Sequence, residues 1–138
     1  MPLDIAADGI PEDVWGQSLF LLDDAEWLIV VPLSPWAARW WGRFTDWCTA
    51  ETLPSFWEYN DKGPLIVFCS RSKGLRWQLH PVTGEFRDEN NKAVSWRRFL
   101  GRYPSVMGAV VKVLVLVRAK RASALAASGM DKKPESGA

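Results

Sequence analysis

A cysteine and the chain's single histidine are the residues with the chemistry for catalysis. Cys48 would act as the nucleophile, and His80, the one ordinary general base near neutral pH, would activate it. Asp88 or Gln78 would orient the imidazole, because the base of such a triad is itself held by a third group. Cysteine is among the most buried residue types, and His80 precedes Pro81 at the predicted end of a strand, so a structural role is favoured. We therefore expect no catalytic residues; the candidates for a cysteine-dependent enzyme are Cys48, His80 and Asp88.

The same residues contain the soft ligands that zinc prefers. Cys48, Cys69 and His80 lack the C-x-x-C and H-x-x-H spacings of zinc sites. The acidic turn 88–91 lacks the alternating ligands and the terminal glutamate of a calcium loop. We expect neither a bound metal nor a cofactor.

Tryptophan is the most over-represented residue type, with nine in 138 residues. Four of them lie within twelve positions: Trp36, Trp40, Trp41 and Trp47. Each ring buries ~150–250 Å², so one small core has little room for all nine and some should be exposed for binding. A helix that Ser34 caps would carry most of the cluster on one face. We expect its core side to include Trp40 and Phe44 and its exposed side to include Trp36 and Trp41.

A binding surface is therefore the favoured functional prediction. The predicted contact residues are Trp36, Arg39, Trp41, Arg76 and Trp77. Aromatic residues and arginine dominate the energetics of protein interfaces, so the expected partner is a protein, including a second copy of the chain. The alternative is a single-stranded nucleic-acid-binding protein, in which aromatic rings stack on bases beside cations. The net charge of +1 gives that alternative no overall electrostatic attraction.

The pattern of apolar residues predicts an α+β fold, a small antiparallel β-meander packed on one side against aromatic-rich helices. Predicted strands cover 27–31, 64–69, 75–80 and 85–87. Predicted helices start at Ser34, run from 52 or 54 to 59, span 95–102, and run from 105 into the 120s. The valine-rich stretch 110–117 would also suit a strand, although we favour a helix.

The chain is expected to form a single domain over residues 14–127. Residues 1–13 form a loose acidic lead-in, and residues 128–138 have the composition of a disordered tail. Two cysteines and a start without signal-peptide features indicate the cytoplasm. The longest apolar stretch, 106–117, is interrupted by Lys112 and is shorter than the ~20 residues that span a bilayer, so no membrane association is expected.

Four short motifs keep their order and spacing between residues 40 and 104. They are Trp47-Cys-Thr-Ala50, Gly63-Pro-Leu65, Trp77-Gln-Leu-His80 and Gly84-Glu-Phe-Arg-Asp-Glu-Asn90. This combination resembles a segment of uncharacterised bacteriophage and mobile-element accessory proteins. The resemblance implies a small accessory protein in an infected bacterium, or a prophage remnant, and implies no activity. The family has a basic residue where this chain has Asp46, so any contact of that residue with a phosphate, or any lowering of the cysteine pKa, would be lost here.

Overall fold

The protein is described by a computed structural model that covers residues 9–47, 53–115 and 118–119, with the backbone alone for 53–55. Within these ranges the helices are α1 (Glu12–Gly16), α2 (Pro35–Trp41), α3 (Leu53–Lys62), α4 (Trp96–Arg102) and α5 (107–115), with a 3-10 turn at Pro104–Val106 before α5. Five strands are β1 (Ser18–Asp23), β2 (Trp27–Pro32), β3 (Ile66–Ser70), β4 (Arg76–His80) and β5 (Glu85–Asp88). The α+β class is confirmed.

The strands form one antiparallel meander in the order β1-β2-β3-β4-β5. Four of them were predicted, and β1 was missed. Its Leu-Phe-Leu-Leu sequence contains no β-branched residue, and the pairing with β2 shifts register between Phe20 and Leu22. That irregularity removes the period-two pattern by which a strand is recognised.

Helices cover both faces of the sheet, so the prediction of helices on one side is wrong. On β2, Trp27, Ile29 and Val31 face one apolar cluster, while Leu28 and Val30 face another. The first cluster is completed by α4, the 3-10 turn and α5 through Phe99, Val106, Ala109, Val110 and Val113. The second is completed by α1 and α2 through Val14, Ala37, Trp40 and Trp41. A continuous apolar strand such as β2 needs cover on both faces, because its side chains alternate between them.

The predicted helix signals are confirmed where the structure describes them. The Ser34 hydroxyl accepts a hydrogen bond of 3.1 Å from the Ala37 amide, and Pro35 begins α2. The Ser95 hydroxyl accepts one of 3.3 Å from the Arg98 amide. Residues 107–115 are helical rather than extended.

The structure describes the beginning of the predicted domain but not its end. Helix α1 begins at Glu12, within the segment predicted as a lead-in, and residues 120–127 and the predicted tail 128–138 are not described. Over the described ranges, no helix has both the length and the apolar character needed to cross a membrane.

Candidate functional site

His80 is a buried cross-link between α3 and the β4–β5 turn. Its Nε2 lies 3.0 Å from the carbonyl oxygen of Tyr59 and 3.1 Å from that of Gly63. Carbonyl oxygens only accept, so Nε2 carries the proton. The hydroxyl of Thr83 lies 2.7 Å from Nδ1 and donates to it in the neutral ring. Both ring nitrogens therefore have hydrogen-bond partners within the fold, and the side chain is buried, as expected of a structural histidine.

Of the predicted catalytic set, the structure describes His80, Asp88 and Gln78, and it places Gln78 but not Asp88 in the lining of a cavity shared with His80. Cys48 lies outside the described residues. The carboxylate of Asp88 accepts 3.0 Å hydrogen bonds from the amides of Asn90 and Lys92, so it stabilises its own turn. In the sheet, Glu85 lies opposite His80 and Asp88 lies opposite Trp77. The proposal that Asp88 orients the imidazole is therefore wrong.

A small polar cavity brings together residues from all four sequence motifs. Its volume is about 20 Å³, and it is lined by Trp47, Tyr59, Leu65, Gln78, His80, Glu85, Arg87 and Asn91. The Tyr59 hydroxyl donates a 2.9 Å hydrogen bond to Glu85 Oε2 beside it. This volume suits one water molecule, far below the roughly 300 Å³ of the smallest usual ligand sites. The motifs therefore build a packed junction between α3 and the sheet.

Trp47 fixes the first motif to that junction. Its indole Nε1 donates a 2.7 Å hydrogen bond to the carbonyl oxygen of Asp88. The amide of Asp46 donates to the carbonyl oxygen of Glu89 over 2.8 Å, while the Asp46 side chain is exposed. The segment that enters the Trp-Cys-Thr-Ala motif is thus held against the end of β5.

The second cysteine, Cys69, is a poor nucleophile. Cys69 is buried in β3, and that burial raises the pKa of its thiol to about 12. A thiol with such a pKa is almost entirely protonated near neutral pH and is a poor nucleophile. Among the residues that the structure describes, no group of three histidine, cysteine, aspartate or glutamate side chains is placed to hold a metal ion.

Two of the five predicted contact residues are buried, contrary to the prediction that Trp41 is exposed. The indole Nε1 of Trp41 donates a 2.9 Å hydrogen bond to the hydroxyl of Ser18. Arg76 is 1 % exposed, and its Nη1 donates over 2.6 Å to the carbonyl oxygen of Trp41. Its Nε lies 3.2 Å from Glu89 Oε1. Arg76 therefore ties β4 to the end of α2 and presents no cation to solvent.

The other three predicted contact residues differ in exposure. Trp77 is half-buried, with its ring centroid 5.0 Å from that of Phe99 and 6.0 Å from that of Trp27. Trp36 is exposed, as predicted, and Arg39 is exposed one turn further along α2. Trp36 and Arg39 thus form the start of an aromatic and basic surface.

Phe44 lies three residues beyond the end of α2 and is also exposed, although sequence spacing assigned it to the core. Its side chain is 61 % exposed, and its backbone has a φ of 66°. The amide of Thr45 donates to the carbonyl oxygen of Gly42 over 3.1 Å, and the Thr45 hydroxyl donates to the same oxygen over 2.6 Å. We call Trp36, Arg39 and Phe44 the α2 strip. No sequence signal separates Phe44 from a core residue, because its exposure depends on the turn that follows α2.

Two further exposed apolar side chains lie near the start of the α2 strip. Trp15 lies in the last turn of α1, and its ring centroid is 4.3 Å from that of Phe20 in β1. Leu33 directly precedes the cap of α2, and its amide donates a 2.8 Å hydrogen bond to the carbonyl oxygen of Gln17. The bond between Leu33 and Gln17 brings the end of α1 to the start of α2.

Comparison of the chain with protein-family profiles, with curated proteins and with solved structures finds no match. The resemblance to phage accessory proteins stays a prediction, and any function rests on the geometry of the site itself.

Proposed function

We propose that this protein is a non-enzymatic binding module that recognises another protein through the α2 strip. The observation that carries the proposal is Phe44, a large apolar side chain that is 61 % exposed at a φ of 66°. A left-handed backbone costs a non-glycine residue roughly 1–2 kcal/mol. Strain of this kind is retained where the surrounding structure needs it, and it clusters at functional positions.

The surroundings of Phe44 hold it in place before any partner arrives. The hydroxyl of Thr45 bonds to Gly42 on one side and accepts a 3.3 Å hydrogen bond from the amide of Trp47 on the other. The guanidinium of Arg43 lies 4.3 Å from the ring centroid of Trp40, which is itself buried. A side chain that is already ordered loses less conformational entropy on binding, and this favours affinity.

The residue types of the strip indicate the chemistry of the partner. Trp36 and Phe44 present apolar rings, and Arg39 adds a cation with a fixed fork of donors. Tryptophan and arginine are enriched among the few interface residues that supply most binding energy. The complementary partner surface carries an apolar pocket beside a carboxylate.

Charges around the strip disfavour nucleic acid as the partner. Glu12 and Asp13 are exposed on α1, and Asp46 is exposed two residues after Phe44. These carboxylates would repel a phosphate backbone, whose attraction to cations supplies most non-specific nucleic-acid binding. Arg76 is buried and Trp77 half-buried, which removes one arginine–tryptophan pair from the proposed stacking surface.

The partner and compartment follow from the sequence resemblance. A phage or prophage accessory role in the bacterial cytoplasm supports a host or phage protein as the target. The burial of His80 and the hydrogen bonds at both of its nitrogens support a structural role for the only histidine, and so a non-enzymatic protein.

The proposal is tested first by capturing the partner protein and then by measuring its affinity for variants of the α2 strip. The tagged chain is used to capture proteins from bacterial lysate with and without nuclease, and the retained protein is purified. Its dissociation constant is then measured by calorimetry for the wild type and for the Trp36→Ala, Phe44→Gly double variant. We expect at least ~30-fold weaker binding by the variant, since loss of a hot-spot residue costs ~2 kcal/mol or more.

A matched control uses another exposed tryptophan. Trp57 lies on α3, outside the strip, so Trp57→Ala should leave the affinity unchanged. Capture that disappears with nuclease would favour the nucleic-acid alternative. Unchanged affinity in the double variant would overturn the assignment of the surface.

A further inference from the structure

Helix α4 carries a group of exposed cations on the side of the sheet opposite the α2 strip. Its inner side packs on the core cluster, and Arg97, Arg98 and Arg102 are exposed. Lys73, in the turn before β4, joins them at the end of the helix, where its Nζ donates a 2.7 Å hydrogen bond to the hydroxyl of Tyr103. The guanidinium of Arg102 lies 5.6 Å from the ring centroid of the same tyrosine. We call Arg97, Arg98, Arg102 and Lys73 the α4 basic face.

Within the described ranges, no carboxylate pairs with a cation of the α4 basic face. The ion pairs between described residues join Asp23 to Arg71 and Glu89 to Arg76. The sequence from 90 to 130 contains eight basic side chains and no acidic one. The chain as a whole is nearly neutral, so positive charge is concentrated on this side of the molecule.

The charges of α4 oppose the stability of the helix itself. Ser95 caps the helix, and Arg98 lies three residues later, where a capping box has glutamate or glutamine. The helix dipole disfavours cations near this end. Arg98 and Arg102 are four residues apart, so their like charges are neighbours on the helix surface. Departures from local stability of this kind are expected where side chains serve binding.

Gly101 leaves bare backbone among these arginines. It is exposed within α4, and a Cβ atom built on it would clash with nothing that the structure describes. Alanine would therefore fit at this position, and it would favour the helix more than glycine does. Glycine permits a ligand to approach the backbone closely, so the arginines surround an open area of the helix surface.

The side chains exposed on α4 suit a polymer of phosphates. The guanidinium of arginine is a planar fork of donors that matches a phosphate group. The described helix exposes no apolar side chain, whereas protein interfaces and membrane surfaces usually depend on apolar anchors. Nucleic acid needs no such anchor, because the release of counterions from its phosphates supplies the affinity.

We propose that the α4 basic face binds the phosphate backbone of single-stranded nucleic acid without recognising its sequence. A helix of 7 residues is about 10 Å long, so its cations reach consecutive phosphates of one strand. The α2 strip packs with the cluster on the other face of the sheet, so the protein binds nucleic acid and its protein partner on separate surfaces.

The experiment is fluorescence anisotropy of a labelled single-stranded oligothymidylate, titrated with the full chain at several salt concentrations. The logarithm of the association constant should fall linearly with the logarithm of salt concentration, by about 0.7 for each phosphate that a cation contacts. Arg98→Gln and Arg102→Gln should each reduce this slope by about 0.7 and weaken binding at low salt at least ~3-fold. Arg98→Lys keeps the charge and should keep the slope.

Stability separates a binding role for Arg98 from a structural one. Arg98→Gln places the residue type of a capping box at this position, so its unfolding temperature should equal or exceed that of the wild type. Weaker binding by a variant that is at least as stable is the expected result. A variant that is less stable than the wild type would contradict the argument that Arg98 opposes the helix.

Two controls separate the α4 basic face from net charge and from the α2 strip. Lys62 is exposed at the end of α3, and α3 packs against α2, so Lys62→Gln should leave oligonucleotide binding unchanged. The Trp36→Ala, Phe44→Gly double variant should also bind the oligonucleotide normally. Conversely, the Arg98→Gln variant should still capture the protein partner from nuclease-treated lysate.

Three results would overturn the proposal. The first is a wild type without salt-sensitive binding of the oligonucleotide, and the second is unchanged binding by both arginine variants. The third is competition by polyglutamate, or by phosphatidylglycerol vesicles, as effective as competition by unlabelled oligonucleotide at equal charge. That third result would assign the face to an acidic protein or to a membrane surface.

Discussion

The guanidinium Nη1 of Arg76 donates a 2.6 Å hydrogen bond to the backbone carbonyl oxygen of Trp41, across 35 residues of sequence. This contact joins β4 to the last residue of α2, and the ion pair with Glu89 joins the same guanidinium to the turn after β5. Phe44 follows Trp41 by three residues. The buried arginine therefore positions the end of the α2 strip without belonging to it.

Replacing Arg76 should destabilise the protein. Arg76→Ala leaves the carbonyl oxygen of Trp41 and the partly buried carboxylate of Glu89 without their donor, and we expect the free energy of unfolding to fall by about 2–4 kcal/mol. Urea unfolding followed by tryptophan fluorescence measures the change. Arg97 is exposed on α4, so Arg97→Ala should stay within ~0.5 kcal/mol of the wild type. A loss for Arg76→Ala as small as that of this control would contradict the buried role.

The left-handed backbone of Phe44 predicts that glycine at this position is more stable than alanine. Glycine adopts a φ of 66° without strain, whereas alanine does not. The free energy of unfolding of Phe44→Gly should therefore be about 1 kcal/mol higher than that of Phe44→Ala. Both variants remove the same exposed ring, and their difference isolates the backbone. Thermal and urea unfolding of the two variants provide the measurement. A glycine variant less stable than the alanine variant would show that the left-handed conformation is not present.

The buried thiol of Cys69 predicts a dependence of stability on alkaline pH. Burial raises its pKa from 9.0 to about 12, so the folded state binds the proton more tightly than the unfolded state. The resulting stabilisation is fully present below pH 9 and is lost as the pH rises through about 12. Cys69→Ala removes the stabilisation that depends on this thiol. Lysine and tyrosine side chains titrate equally in both proteins, so their effect cancels in the difference. The difference in unfolding free energy between wild type and variant should therefore shrink across that window, and a constant difference would contradict the shift.

Gly63, in the second motif, lies where a larger side chain would meet a steric clash. A Cβ atom on Gly63 would clash with Cγ2 of Val82, and His80 binds the carbonyl oxygen of the same glycine. Gly63→Ala should therefore destabilise the protein by about 1–3 kcal/mol, in the range of other overpacking substitutions. Val82→Ala in the same chain should recover most of the loss, since it removes the clashing methyl groups. A double-mutant cycle by urea unfolding tests the coupling, and strictly additive effects would argue against the close contact.

Local patterns predicted most of the fold. The β-branched run of β2, the alternation in β3 and β4, and the caps at Ser34 and Ser95 depend on neighbours within a few residues, which the sequence contains. The strand β1 was not predicted, because its register shift breaks the alternation of apolar and polar residues that marks a strand.

The contact surface was predicted less well, because it depends on distant contacts. Helical spacing placed Phe44 in line with Trp40, but α2 ends at Trp41, and Phe44 lies outside the helix with a left-handed backbone and an exposed side chain. Trp41 and Arg76 were assigned to the surface. Both are buried where α2 meets β4, and Arg76 donates a hydrogen bond to the backbone of Trp41 there. Neither effect leaves a local trace in the sequence.

Site-specific photo-cross-linking from position 44 tests the central claim most directly. Benzoylphenylalanine keeps an aromatic group at this exposed site, and it is incorporated in the full chain inside bacterial cells that supply the partner. We expect an ultraviolet-dependent covalent product with a second protein that protease destroys and nuclease leaves intact, and no such product from the same group at position 57 on α3. A product sensitive to nuclease, or equal products from both positions, would contradict recognition of a protein through the α2 strip.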